Sequence, residues 1–207
     1  MLTYHTTLNA IHRIDFKPET FTPQDLLWIP HHAQLSRTGK KRQSEHLAGR
    51  IAAVYALQTV GEKSVPGIGA NREPLWPTGI FGSISHCGHT ALAIVSRAPV
   101  GVDIEEVFTD SLAESLADQI AEGLELAYLR TTPLPFPLLL TLAFSAKESL
   151  FKALSARYPH LLNFHDAIVT HVNAQDIVVQ IPAINRAFIL HWYAVDAQRI
   201  ITLYYQT

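Results

Sequence analysis

Asp103 and Glu105, two acidic residues separated by one position in Gly101-Val102-Asp103-Ile104-Glu105-Glu106, are the first feature of this chain that could do chemistry. If the segment is a strand, side chains alternate between its faces, so Asp103 and Glu105 project together while Val102 and Ile104 project to the other side. Two carboxylates so placed repel each other unless a cation or solvent separates them. Hard oxygen ligands at this spacing suit magnesium, which commonly takes one or two carboxylates together with waters and substrate phosphates. The plainer reading is a solvated strand edge that ends in acidic residues.

A second segment, Phe144-Ser145-Ala146-Lys147-Glu148-Ser149-Leu150-Phe151-Lys152, places Glu148 and Lys152 four apart, on one face of a helix, with Phe144, Phe151 and Leu154 able to face a core. Its structural reading is equally direct: Ser145 with Glu148 matches a helix-capping box, and Glu148 with Lys152 an ordinary helical ion pair. A third segment, Gly82-Ser83-Ile84-Ser85-His86, reads as a loop whose serine and histidine could meet phosphate or ribose. It is not a nucleophile elbow, because the second glycine is missing. Cys87 and His89 next to His86 match no common zinc spacing. Fourth, Arg37, Lys40, Lys41, Arg42 and Arg50 cluster within fourteen residues, with Arg72 following in the next loop. Such a group suits a ligand carrying several phosphates, or is simply a solvated helix face.

The elements that must position these residues read as follows. Residues 1–35 are short strands and loops punctuated by Pro18, Pro23 and Pro30. A helix covers 36–60, with Leu47, Ile51, Val54 and Tyr55 on one face and Gly61 as its stop. A Gly- and Pro-rich loop fills 61–82; Ala91–Val95 and Val100–Val107 are strands. Residues 110–130 are helical with a weak point at Gly123, and Leu138–Leu154 is mostly helix after a Pro-rich stretch. Three strands, 177–181, 188–195 and 200–205, end the chain. Each half thus holds helix and strand, with a seam near residue 100.

The 207 residues, 48% hydrophobic and 16% charged, exclude a disordered chain and suffice for one large domain or two small ones. A net charge of −2 argues against general nucleic-acid binding. Cys87 is the only cysteine, so no intrachain disulfide forms, and a cytoplasmic home is expected. The longest apolar stretch, Leu134–Phe144, is broken by Pro135, Pro137 and Thr141, so no transmembrane segment is expected.

Taken together, Gly101-Val102-Asp103-Ile104-Glu105 and, some forty residues later, Phe144-Ser145-Ala146-Lys147-Glu148-Ser149-Leu150-Phe151-Lys152 resemble the paired signatures of the larger, pseudo-dimeric phosphopantetheinyl transferases. Gln24-Asp25-Leu26-Leu27-Trp28, Glu45 to Ala53, Trp76-Pro77 and Gly82 to His86 are similar to the branch of that family serving enterobactin synthesis. The likeness covers residues 20–155; the last fifty residues carry no motif.

The resemblance implies an α+β fold of two similar halves, 1–100 and 101–207, in pseudo-two-fold relation, with the active site in the cleft between them. The first half would carry the basic helix and the coenzyme A contacts, the second the metal-binding carboxylates. The resemblance further implies that Asp103, Glu105 and Glu148 hold magnesium, that Lys152 touches the phosphates of coenzyme A, and that Ser85 and His86 meet its nucleotide end, His86 near the 3′-phosphate. Arg42, Arg50 and Arg72 are weaker carry-overs, and Lys147 carries none. The reaction would move phosphopantetheine onto a serine of an apo aryl or peptidyl carrier protein of a siderophore assembly line, releasing 3′,5′-ADP. The base would be Glu148 or a water held by Glu105. Phe136 and Leu138 to Leu140 are candidates for carrier docking, against simple core burial. A monomer is implied, and peripheral membrane association is left open. Two rivals stand beside this reading: a non-catalytic paralogue that binds coenzyme A or carrier proteins, and a metal-dependent phosphohydrolase using water as nucleophile.

Overall fold

The computed structural model describes residues 1–155, 157–158 and 163–206. The chain divides into two compact units, Met1–Pro99 and Val100–Thr207.

In the first unit, β1 (Thr3–Leu8) and β2 (Ile11–Phe16) form a hairpin, followed by three short 3-10 turns and the helix α1 (Lys40–Gln58). A small hairpin, β3 (Gly67–Ile68) and β4 (Pro74–Leu75), precedes β5 (Phe81–Cys87) and β6 (Thr90–Ser96). The four long strands make an antiparallel sheet in the order β1-β2-β6-β5. Its core joins Ile14, Phe16, Ala91 and Ala93 of the sheet to Ala48, Ala52, Ala53 and Ala56 of α1. This alanine stripe differs from the face expected from periodicity. Leu47 is buried, but Ile51 and Val54 are only half-buried and Tyr55 is exposed. The reason is size. Alanines let a helix approach a sheet closely, and at Gly49 an added Cβ would sit 2.9 Å from Cγ2 of Ile84. Leu47 packs instead with Phe21, Leu26, Ile29 and Leu35 of the 3-10 segment. Gly61, expected to stop the helix, lies three residues beyond it with φ of 83°, a conformation glycine adopts without strain.

The segment 82–86 lies within strand β5, not in the loop expected for it. Its alternation explains the difference: Ser83 and Ser85 are buried on one face, while Ile84 and His86 take the other, toward α1.

In the second unit, β7 (Val100–Glu106) leads to α2 (Asp110–Ile120), α3 (Gly123–Thr131) and the long α4 (Phe136–Leu154). Four strands follow: β8 (Ile168–Val172), β9 (Asp176–Ile181), β10 (Arg186–Ala194) and β11 (Arg199–Tyr205). The sheet is antiparallel in the order β7-β11-β10-β9-β8. The expected break at Gly123 is the boundary between α2 and α3, where φ is 52°. Strand β8 was not legible: five residues with Thr170 and His171 exposed show no clean alternation.

Helix α4 buries Leu139, Leu140, Leu142, Ala143, Ala146 and Leu150 in the core of this unit. Leu139 and Leu140 are therefore core, and Phe136 and Leu138 are half-buried against it, which removes most of the docking surface expected there. Burial is what an apolar run opening a helix ordinarily achieves. Among the described residues no helix is long and apolar enough to cross a membrane.

Candidate active site

The second unit builds its polar site where α4 crosses β7. Gly101 makes the crossing possible, because a Cβ there would collide with the backbone carbonyl of Ser149. Asp103 and Glu105 share the face of Gly101 and so lie beneath the polar turn of α4. Asp103 is only 2% exposed. Its Oδ2 accepts from Ser145 Oγ at 2.8 Å, and its Oδ1 accepts from Lys152 Nζ at 2.6 Å. Ser145 and Ser149 each also meet Thr202 Oγ1 of β11, at 2.9 and 2.8 Å. These hydroxyls peg α4 to both strands with directional bonds, which apolar packing lacks.

Ser145 is thus no helix cap. It sits well inside α4, which begins at Phe136 after Pro135. Lys152 points its ammonium at Asp103, so the Glu148–Lys152 spacing alone does not describe its role. Phe151 is exposed rather than core-facing, while Leu154 is buried as expected. A cavity of about 130 Å3 opens beside Glu148, lined by Phe151, Leu154, Tyr158, Phe164 and Ile181 among others.

The electrostatics show that the acidic groups are neighbours. Burial pushes the Glu105 carboxyl up to about 8, Asp103 adds repulsion, Lys152 opposes it, and Glu148 and Glu106 add a little more. Burial also raises Glu148, with Lys152 pulling the other way and Asp103 reinforcing the rise. A divalent cation would relieve this crowding, and three carboxylates are the hard donors it prefers. The residues fit such an ion by chemistry. They are not drawn into a preformed cage, since among the described residues no group of three or more His, Cys, Asp or Glu side chains has a metal-holding arrangement.

The first unit gathers positive groups. Arg42 Nη1 and His86 Nε2 lie 3.1 Å apart, bringing α1 to β5, and Glu45 Oε2 stands 4.0 Å from the same histidine nitrogen. Behind them, His31 and His46 share a 2.9 Å contact between their Nε2 atoms. Burial pushes His46 down to about 3, helped by Arg50, His31, Arg42 and His86 in that order. That list maps a cluster in which each cation disfavours the next, the condition an anion relieves.

The expected residues separate within this cluster. Arg50 is buried, and its guanidinium donates to the carbonyls of Pro66 and Gly67 at 2.8 and 2.9 Å, tying α1 to the loop. Arg72 is exposed between β3 and β4 with φ of 67°. Ser85 is buried on the face of β5 opposite His86. Two pairings are invisible in the sequence. His31 and His46 carry no spacing signal. Lys147 and Glu125 are buried and joined at 2.9 Å, and the one available clue was a lysine on the buried face of an apolar helix.

Comparison with known proteins agrees with this division. Residues 31–96 match the 4′-phosphopantetheinyl transferase N-terminal domain, and residues 99–203 match the 4′-phosphopantetheinyl transferase superfamily. The chain is 48% identical over 207 residues to enterobactin synthase component D of Escherichia coli (strain K12), covering 98% of each. It is 53% identical over 181 residues to the protein of that name from Salmonella typhi, covering 86% of this chain and 77% of the relative. It is 33% identical over 157 residues to the 4′-phosphopantetheinyl transferase PptT of Mycobacterium tuberculosis, covering 72% and 67%. Carboxylates crowded under a helix in one unit and cations gathered in the other therefore belong to a lineage, and the chain is a member of the 4′-phosphopantetheinyl transferase superfamily.

Proposed function

We propose that this chain transfers the 4′-phosphopantetheine group of coenzyme A to a serine of an apo carrier protein, releasing 3′,5′-ADP. The observation that carries the reading is the meeting of Asp103, Glu105, Glu148 and Lys152 beneath one turn of α4. A relative named enterobactin synthase component D aligns with 98% of the chain, so the carriers we assign are the aryl and peptidyl domains of enterobactin assembly. The reaction belongs in the cytoplasm, where coenzyme A and apo carriers meet, with the enzyme acting as a monomer.

Asp103, Glu105 and Glu148 would hold magnesium, which supplies charge neutralisation at the pyrophosphate. Lys152, now on Asp103, is placed to exchange that carboxylate for a phosphate oxygen. Arg42 and His86 take the phosphates of the nucleotide end, with Arg72 a secondary contact; Arg50 acts by holding the loop, and Ser85, buried on the opposite face of β5, supports the strand. The apolar cavity beside Glu148 suits the pantetheine arm. The carrier serine attacks the β-phosphorus, its bond to the 3′,5′-ADP oxygen breaks, and the hydroxyl proton passes to a base. Glu148, beside the carboxylate cluster on α4, is the first candidate for that base, and a water held by Glu105 is the second.

The test is mass spectrometry of an apo carrier domain incubated with the protein, coenzyme A and magnesium. A gain of one phosphopantetheine group that disappears with chelator is expected. No gain on aryl or peptidyl carriers overturns the reading in favour of a non-catalytic binder. Release of phosphopantetheine without carrier would mark a phosphohydrolase.

A further inference from the structure

Helix α4 is apolar along most of its buried surface, yet Lys147 is driven into that surface with a side chain only 2% exposed. Its ammonium donates to the carbonyl of Ile120 at 2.7 Å and to the Glu125 carboxylate at 2.9 Å. Ile120 is the last residue of α2, and its carbonyl is one of those a helix end leaves without an intrahelical partner. Glu125, of α3, accepts the backbone N–H of Val169 in β8 at 2.7 Å through Oε1. One buried pair thus joins the end of α2, the start of α3, the middle of α4 and the outermost strand of the sheet.

Stability does not account for such a pair. Removing two charges from water costs about as much as their attraction returns, and apolar replacements of buried pairs are often neutral or stabilising. What the pair supplies is direction. Apolar contacts are non-directional; the Ser145 and Ser149 hydroxyls hold one flank of α4, and an ammonium between a carbonyl and a carboxylate holds the opposite one. Glu148 is the next residue, about 100° further round the helix, and Lys152 lies one turn beyond it. A modest rotation of α4 would carry both away from Asp103.

We infer that Lys147 and Glu125 form a positioning clamp: by tying α4 to α2, α3 and β8, the pair fixes the rotation of α4 that presents Glu148 and Lys152 to Asp103. The inference rests on the transfer reading above and adds two positioning residues to it.

The experiment compares wild type with K147M/E125L, which removes both charges, and with E125D, which retracts the carboxylate by one methylene. For K147M/E125L we expect a cooperatively folded protein with a moderately lower melting temperature: no charge is left unpaired, but the Ile120 carbonyl and the Val169 N–H each lose a partner. We expect kcat to fall roughly 10- to 100-fold, as a displacement near 1 Å can produce. The half-saturating magnesium concentration and KM for coenzyme A should each rise several-fold, because Glu148 and Lys152 move together, whereas loss of folded protein alone would leave both unchanged. E125D should move the same quantities in the same direction by less, and it decides the matter if the double variant does not fold. Wild-type kcat and magnesium dependence in a folded variant would overturn the clamp and leave the pair a packing element. A wild type without transfer would instead overturn the transfer reading, and the reason for a clamp with it.

Discussion

Arg42 and His86 reach each other from a helix and a strand while Arg42 stays exposed and His86 half-exposed, whereas Asp103 is buried with both of its oxygens held by side chains of α4. The first arrangement can follow a ligand; the second cannot move without repacking a core. A group that recognises a phosphate needs reach, since charge attracts over distance and a guanidinium adapts its fork. A group that takes part in bond breaking needs fixed placement, because effective concentration falls steeply with misalignment. With the roles proposed above, the two units would divide these demands, and the comparison can be broken from either side.

The hardest test falls on the fixed site. Replacing Glu148 by Gln keeps shape and removes the proposed base, so transfer should fall about 10²- to 10⁴-fold while the protein stays folded. Near-normal turnover in a single-turnover assay would move the base elsewhere. Asp103→Ala should come next. The half-saturating magnesium concentration should rise at least 10- to 100-fold, the range seen for support around a metal site. An unchanged magnesium titration would mean Asp103 serves only to hold Lys152 and Ser145. On the adaptable side, Arg42→Gln should raise KM for coenzyme A about tenfold, the loss of one charge-assisted hydrogen bond, with kcat nearly intact. If kcat fell instead, the contrast between the two regions would collapse.

The smallest effect concerns acid stability of the cationic cluster. Folding holds His46 neutral down to about 3, while in the unfolded chain it protonates near 6.5. Between those values the unfolded state binds the extra proton, so stability is full above 6.5 and declines as pH falls toward 3. His46→Gln should flatten that decline in urea titrations across the window. An equal slope in wild type and variant would remove His46 as its source.

Much of the fixed site could be read in advance. The strand carrying Asp103 and Glu105 and the helix carrying Glu148 and Lys152 follow from periodicity and spacing. What escaped depends on which element lies against which. Periodicity ranked Leu47, Ile51, Val54 and Tyr55 above the alanines of α1, because it weighs hydrophobicity and not the closeness small side chains allow. Reading 82–86 as a loop hid that Ser85 and His86, as neighbours in a strand, face opposite sides. Spacing gave Ser145 a capping role, since a local pattern cannot show that the helix begins nine residues earlier. Lys147 and Glu125 are 22 residues apart, and their pairing exists only once α3 folds back on α4.

Strand β8 is the outermost strand of its sheet, and two of its backbone amides are already engaged from α3: Val169 by Glu125 and Val172 by the Tyr128 hydroxyl at 2.9 Å. An incoming strand from another chain would find these donors taken. The helix therefore acts as a selvedge on the sheet, a finished border that discourages further rows from being added, and concentrated preparations should resist fibrous growth from this side.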